Sequence, residues 1–149
     1  MKRYLAILGL LASCSDGAFY EKNVAIADRS WEYRDIPTFE VKVEDNKAKY
    51  DIYINVRHTN QYDFSNLFLL LHQQGKGIKD TAYRHEISLA ELDGRWKGKT
   101  AGSLVEVQHL ALTDFVFPDT GSYIFRIEQN MRKTPLTEIN DVGLKVIKK

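Results

Sequence analysis

From Phe39 onward the chain alternates. Phe39, Val41 and Val43 are separated by Glu40 and Lys42, and Tyr50, Ile52, Ile54 and Val56 by Asp51, Tyr53 and Asn55. A period of two places apolar residues on one face of an extended strand and polar ones on the other. The alternation returns at Tyr83, His85, Ile87 and Leu89, at Tyr123, Phe125 and Ile127, and at Val142, Leu144 and Val146. Leu104 to Leu112 predicts a further strand with Val105 and Val107 on one face. Leu67 to Leu71 is continuously apolar, too short for a lone helix and bounded by turn signals, which predicts a central strand buried on both faces. Asp45-Asn46-Lys47, Gly75-Lys76-Gly77, Pro118 and Pro135 punctuate the strands, and Ala90 to Gly94 leaves room for one helical turn. Regularly spaced short strands of this kind predict an all-β fold, an antiparallel β-sandwich of immunoglobulin-like or jelly-roll-like type. Its core should contain Ile52, Ile54, Val56, Leu69, Tyr123, Phe125 and Val146, with Asp51 and Asn55 on the opposite, tolerant face.

The start of the chain follows another pattern. Lys2 and Arg3 precede the apolar run Tyr4 to Leu11, which ends in Leu11-Ala12-Ser13-Cys14. A basic start, a short apolar core and small residues at a cut form a secretory signal. The run is about half of the roughly 20 residues a spanning helix needs. Cys14 is the only cysteine, so an exported chain has no disulfide partner for it. The stretch resembles the bacterial lipobox, in which the thiol receives a diacylglycerol, the chain is cut before the Cys, and the new amine is acylated. The expected organisation is a lipoprotein signal peptide over 1–13, a lipidated tether over 14–30 and a β-sandwich domain over 31–149. Each buried methylene contributes about 0.8 kcal/mol, and stable anchoring takes more than one acyl chain. Ser15-Asp16 partly resembles an acidic surface-export tag, but Gly17 interrupts it, so no surface exposure is read from it.

Charge narrows the partners. The formal charge is +1, and loss of Lys2 and Arg3 with the signal leaves 19 basic against 20 acidic residues. No field of either sign draws nucleic acid or anionic lipid. With 44% hydrophobic residues and no possible disulfide, a packed core must hold the domain together.

The candidate chemistry is sparse. Of His58, His72, His85 and His109, His72 and His85 could share a face, depending on register, if residues 66–74 and 81–89 form a hairpin. Zinc usually takes three or four ligands with a supporting second layer, so no metal and no cofactor is expected. Gly75 to Thr81 lacks the spacing of a phosphate loop and precedes a strand. There is no Gly-x-Ser-x-Gly elbow and no assignable carboxylate pair, which argues against an enzyme. The loop aromatics Tyr62, Phe64 and Trp96, with Trp31, either cap a core end or stack on a partner protein or sugar. For these rings the capping role is the commoner one, and contact is the candidate function. For the protein as a whole, contact with other envelope proteins is the leading reading, and a carbohydrate- or peptidoglycan-binding sandwich is the alternative. Asp80-Thr81-Ala82 resembles a short O-glycosylation motif of exported Bacteroidetes proteins, which makes Thr81 a candidate acceptor. Asp119-Thr120-Gly121-Ser122-Tyr123-Ile124-Phe125 looks like the tyrosine corner of immunoglobulin-like sandwiches, with Phe125 where those domains carry Cys.

An ordered set of segments carries a wider resemblance. Leu11-Ala12-Ser13-Cys14 is followed by Tyr20-Glu21-Lys22-Asn23, Trp31-Glu32-Tyr33, the run Tyr50 to Asn60 and Leu67-Phe68-Leu69-Leu70. Leu92-Asp93-Gly94-Arg95-Trp96, Phe117 to Gly121 and Asp141-Val142-Gly143 complete it. In this order and spacing the chain resembles the gliding-motility lipoprotein GldH family of the Bacteroidetes. The resemblance implies a cell-envelope lipoprotein, lipid-anchored on the periplasmic side of the outer membrane. It implies partners among gliding-motility or envelope proteins, in bacteria whose motility is tied to type IX secretion. Only Cys14 carries over as a functional position.

Overall fold

A computed structural model describes residues 17–149. Two antiparallel sheets enclose one core. The first has five strands in the order β1 (Ala18–Ala25), β11 (Ile139–Lys148), β4 (Tyr50–Thr59), β8 (Leu104–Phe115) and β7 (Lys99–Ala101). The second has four, in the order β3 (Thr38–Val43), β9 (Gly121–Gln129), β5 (Asn66–Gly75) and β6 (Ile78–Ser88). A small ribbon pairs β2 (Ser30–Trp31) with β10 (Leu136–Thr137).

The alternating residues build the core as the pattern predicts. Ile52, Ile54, Val56, Leu69, Tyr123, Phe125 and Val146 are all buried between the sheets. The tyrosine corner also forms. The Tyr123 hydroxyl lies 2.7 Å from the Asp119 carbonyl, to which it donates, and accepts from the Asp119 N–H at 3.0 Å. Its ring fills the space where a side chain on residue 75 would stand, so the β5–β6 turn requires Gly75.

Four expectations need correction. Residues 14–30 are not all tether, because Ala18–Ala25 is strand β1, paired with β11 from Ala18↔Ile147 to Ala25↔Asp141. β1 is an edge strand that packs Tyr20 and Val24 against the core and lays the half-exposed Phe19 on the Tyr50 ring, so its sequence carries almost no apolar alternation. β5 is buried on one face only: Leu67, Leu69 and Leu71 point inward, while Phe68 and Leu70 lie half-buried on the outside. Ala90 to Gly94 is a turn closed by the Gly94 N–H on the Glu91 carbonyl, with no helix. Asn55 is on the outer face but is only 3% exposed, covered by β1, and its amide donates to Glu21 at 3.1 Å. It is therefore not a freely replaceable surface residue.

The strand directions define two ends. The near end holds the start of β1, the β3–β4 and β5–β6 turns, the β8–β9 loop and the close of β11. The far end holds the loops 60–65, 89–98 and 130–135.

Candidate functional site

Cys14, the expected lipid attachment point, lies outside the described residues. The three loop aromatics lie inside them, and the structure brings them together at the far end. Tyr62 packs at 5.7 Å from the Phe64 ring and 6.5 Å from Trp96, and His58 meets Trp96 edge-on at 4.6 Å. Tyr62 is 4% exposed, and its hydroxyl donates to the Asn66 carbonyl at 3.0 Å. Burial, with Asp63 nearby, pushes the Tyr62 hydroxyl far above the usual phenol range. The His58 ring is wholly buried, donates from Nδ1 to its neighbour's carbonyl at 2.9 Å, and has its pKa lowered by desolvation. Tyr62 thus closes the end of the core, the capping role rather than the contact one, and offers no face to a partner. Trp96 is half-buried in the same cap, and Phe64 lines an open cavity.

The other candidates separate. His72 is opposite Ala82 and His85 opposite Leu69, so the two histidines face opposite sides of the hairpin. His72 Nε2 lies 2.8 Å from Glu128 on the outer face. His85 turns inward and meets His109 of the other sheet at 3.3 Å. Thr81 sits in strand β6 opposite Gln73, outside the turn, and its hydroxyl donates to the Lys79 carbonyl at 3.1 Å. Among the described residues no three His, Cys, Asp or Glu side chains converge as a metal site would require.

What the fold assembles instead is a cleft of about 650 Å³ on the outer face of the four-stranded sheet, at its far end. Its floor is Phe68 of β5, its sides are Phe64 and Met131, and Arg84, Arg132 and Lys133 rim it. The Arg84 guanidinium carbon lies 4.0 Å from the centroid of the Phe68 ring, a cation–π contact, and its Nε donates to Asn130 at 3.1 Å. Lys133 pairs with Asp63 at 3.1 Å. Neither Arg84 nor Arg132 has a carboxylate partner among the described residues.

The wall is pinned by groups behind it. Buried Gln129 donates to the Lys133 carbonyl at 2.9 Å and accepts from the Met131 N–H at 2.9 Å. The Tyr33 hydroxyl donates to the Met131 carbonyl at 2.6 Å, and the Asn130 N–H reaches the Phe68 carbonyl at 2.8 Å. The loop is thereby locked to both β5 and the segment after β2. Sequence reasoning found Phe64 but missed Phe68, Arg84 and Met131. The available signal was phase: Phe68 is an aromatic out of step with Leu67, Leu69 and Leu71.

The family model for the GldH lipoprotein matches residues 18–146. The chain is 32% identical to a gliding motility lipoprotein GldH homolog from Christiangramia forsetii, covering 93% of this chain and 89% of that protein. It is 26% identical to the gliding motility lipoprotein GldH of Flavobacterium johnsoniae, covering 94% and 91%. No solved structure matches it.

Proposed function

Because the chain belongs to the GldH lipoprotein family, a family of motility lipoproteins and not a known enzyme family, we propose that it acts by contact, as a structural component of the gliding machinery. In this reading Cys14 carries the lipid that holds the protein to the envelope, on the periplasmic side of the outer membrane. Its partners are other gliding-motility or envelope proteins, and its work is tied to type IX secretion. The observation that carries the contact role is the cleft at the far end: aromatic and thioether surface beside two guanidinium groups that no carboxylate of the described chain neutralises. Aromatic residues and arginine in such settings commonly dominate binding energy. The sugar-binding alternative loses support, since Tyr62 is buried and Trp96 is half-buried in the same cap.

The test replaces the native copy in a gliding host with variants at matched protein levels. Cys14→Ser should release the protein from the membrane fraction and stop gliding, because a hydroxyl does not replace the thiol in acylation. Phe68→Ser with Arg84→Gln should leave membrane attachment and folding intact and impair gliding or secretion. Full motility in both strains would sink the contact reading.

A further inference from the structure

We propose that the far-end cleft receives a segment of a partner protein in which an aromatic or other large apolar side chain is flanked by carboxylates. The proposal deepens the contact reading above and rests on it for the partner's being a protein.

The chemistry of the cleft selects this ligand. Phe64, Phe68 and Met131 present an apolar slot, and a volume of about 650 Å³ suits one aromatic side chain with its neighbours. A thioether beside aromatic rings adapts well to another ring. At the rim, Arg84 is held in place before any ligand arrives: its planar group is stacked on Phe68 and tied to Asn130. Those contacts leave terminal N–H groups of the guanidinium for a planar, two-oxygen acceptor. Arg132 adds a second unpaired cation, while Lys133 is occupied by Asp63.

Electrostatics and position remove the competing ligands. A neutral sugar would leave both guanidinium charges without a counter-charge. A bilayer holding Cys14 would meet the near end, where β1 begins, and the cleft opens at the far end, beyond the length of β5. A free anion would use the arginines and leave the apolar floor empty. An acidic, aromatic peptide satisfies both halves at once, as arginine clusters do when they read acidic motifs.

The experiment uses the full mature chain in detergent micelles and capped hexapeptides carrying Phe or Tyr between pairs of Glu. Fluorescence anisotropy should show saturable binding. Affinity should drop at least tenfold when the peptide's aromatic becomes Ala, when its Glu residues become Lys, or when the protein carries Arg84→Gln with Arg132→Gln. These two arginines are exposed, so their replacement spares the fold, and Phe68→Leu, which keeps the apolar floor but removes the ring under Arg84, should weaken binding less than loss of the arginines does. Equal binding of the Glu and Lys peptides, no saturable binding, or full displacement by millimolar inorganic phosphate would overturn the proposal. So would capture of phosphatidylglycerol vesicles that is lost with the arginines. Gliding of the same variants reads the contact role separately: peptide binding that survives scrutiny beside normal gliding would overturn that role and leave the ligand class standing.

Discussion

The two sheets show opposite outer faces. On the five-stranded sheet, Arg57 meets Asp141 at 2.8 Å, Asn55 reaches Glu21, and the carboxylate of Asp141 also accepts from Asn140. These groups are covered by one another and by strand β1, so the face carries its charges in closed pairs. On the four-stranded sheet Arg126 and His72 still face Asp80 and Glu128, but at the far end Phe68 and Leu70 lie on the outside and Arg84 rests on a ring instead of a carboxylate. Both faces contain arginine next to strands of similar length. The difference is whether the chain supplies the counter-charge itself. Where it does, polar residues serve stability. Where it does not, the unsatisfied group is available to another molecule.

The largest expected effect falls on the closed face. Asp141→Ala leaves Arg57 without its partner and should lower stability by about 2–3 kcal/mol, somewhat below the cost of breaking a fully buried pair because Arg57 is partly solvated. A urea titration with unchanged slope checks it. Gly143→Ala comes next. A methyl there would stand 2.9 Å from the Lys22 carbonyl and collide with Asn23, forcing β1 from β11. The expected cost is about 1–2 kcal/mol, in the range of overpacking, with new protease cleavage within 18–25. On the open face, Arg84→Gln and Arg132→Gln should each change stability by no more than about 0.5 kcal/mol. If they cost as much as Asp141→Ala, the contrast between the faces is false.

The smallest effect lies between the sheets. Desolvation lowers the pKa of His85 and of His109, and their mutual repulsion when charged lowers His109 further. The unfolded chain therefore binds protons first as pH falls past the ordinary histidine value of 6.5. Stability should be flat above that value and decline below it, until the folded-state values are passed. Replacing both residues with Leu should make the decline shallower, with the rest due to buried His58, whose pKa is also lowered. A steeper decline in the double variant would show that the pair does not repel as its geometry requires.

The sequence made the interior legible and the exterior much less so. Strands that bury one face, such as β4 and β9, announce themselves because alternation and burial have the same cause. β1, β2, β7 and β10 are short or lie at an edge, and their ladder bonds leave no trace in side-chain type. The cleft was hidden for a related reason. Phe68 sits in an apolar run that reads as core, and Arg84 in a strand whose polar face reads as solvent. Only the register of β5 against β6 and the path of the 130–133 loop bring them together. Tyr62 and Trp96 were ambiguous because a ring that caps a core and a ring that grips a partner both occur beside loops.

Strand β1 also has a mechanical meaning. Three residues separate Cys14 from Ala18, at most about 14 Å of extended chain between the two Cα atoms. A lipid on Cys14 would pull on β1 at the near end, while a partner in the cleft would pull at the far end. The strand runs along the line joining them, so tension would drag it lengthwise past β11. The backbone bonds from Ala18 to Ala25 would then be loaded together in shear instead of being opened one after another like a zip. An edge strand that adds little to the core would thus be the part of the domain that bears traction.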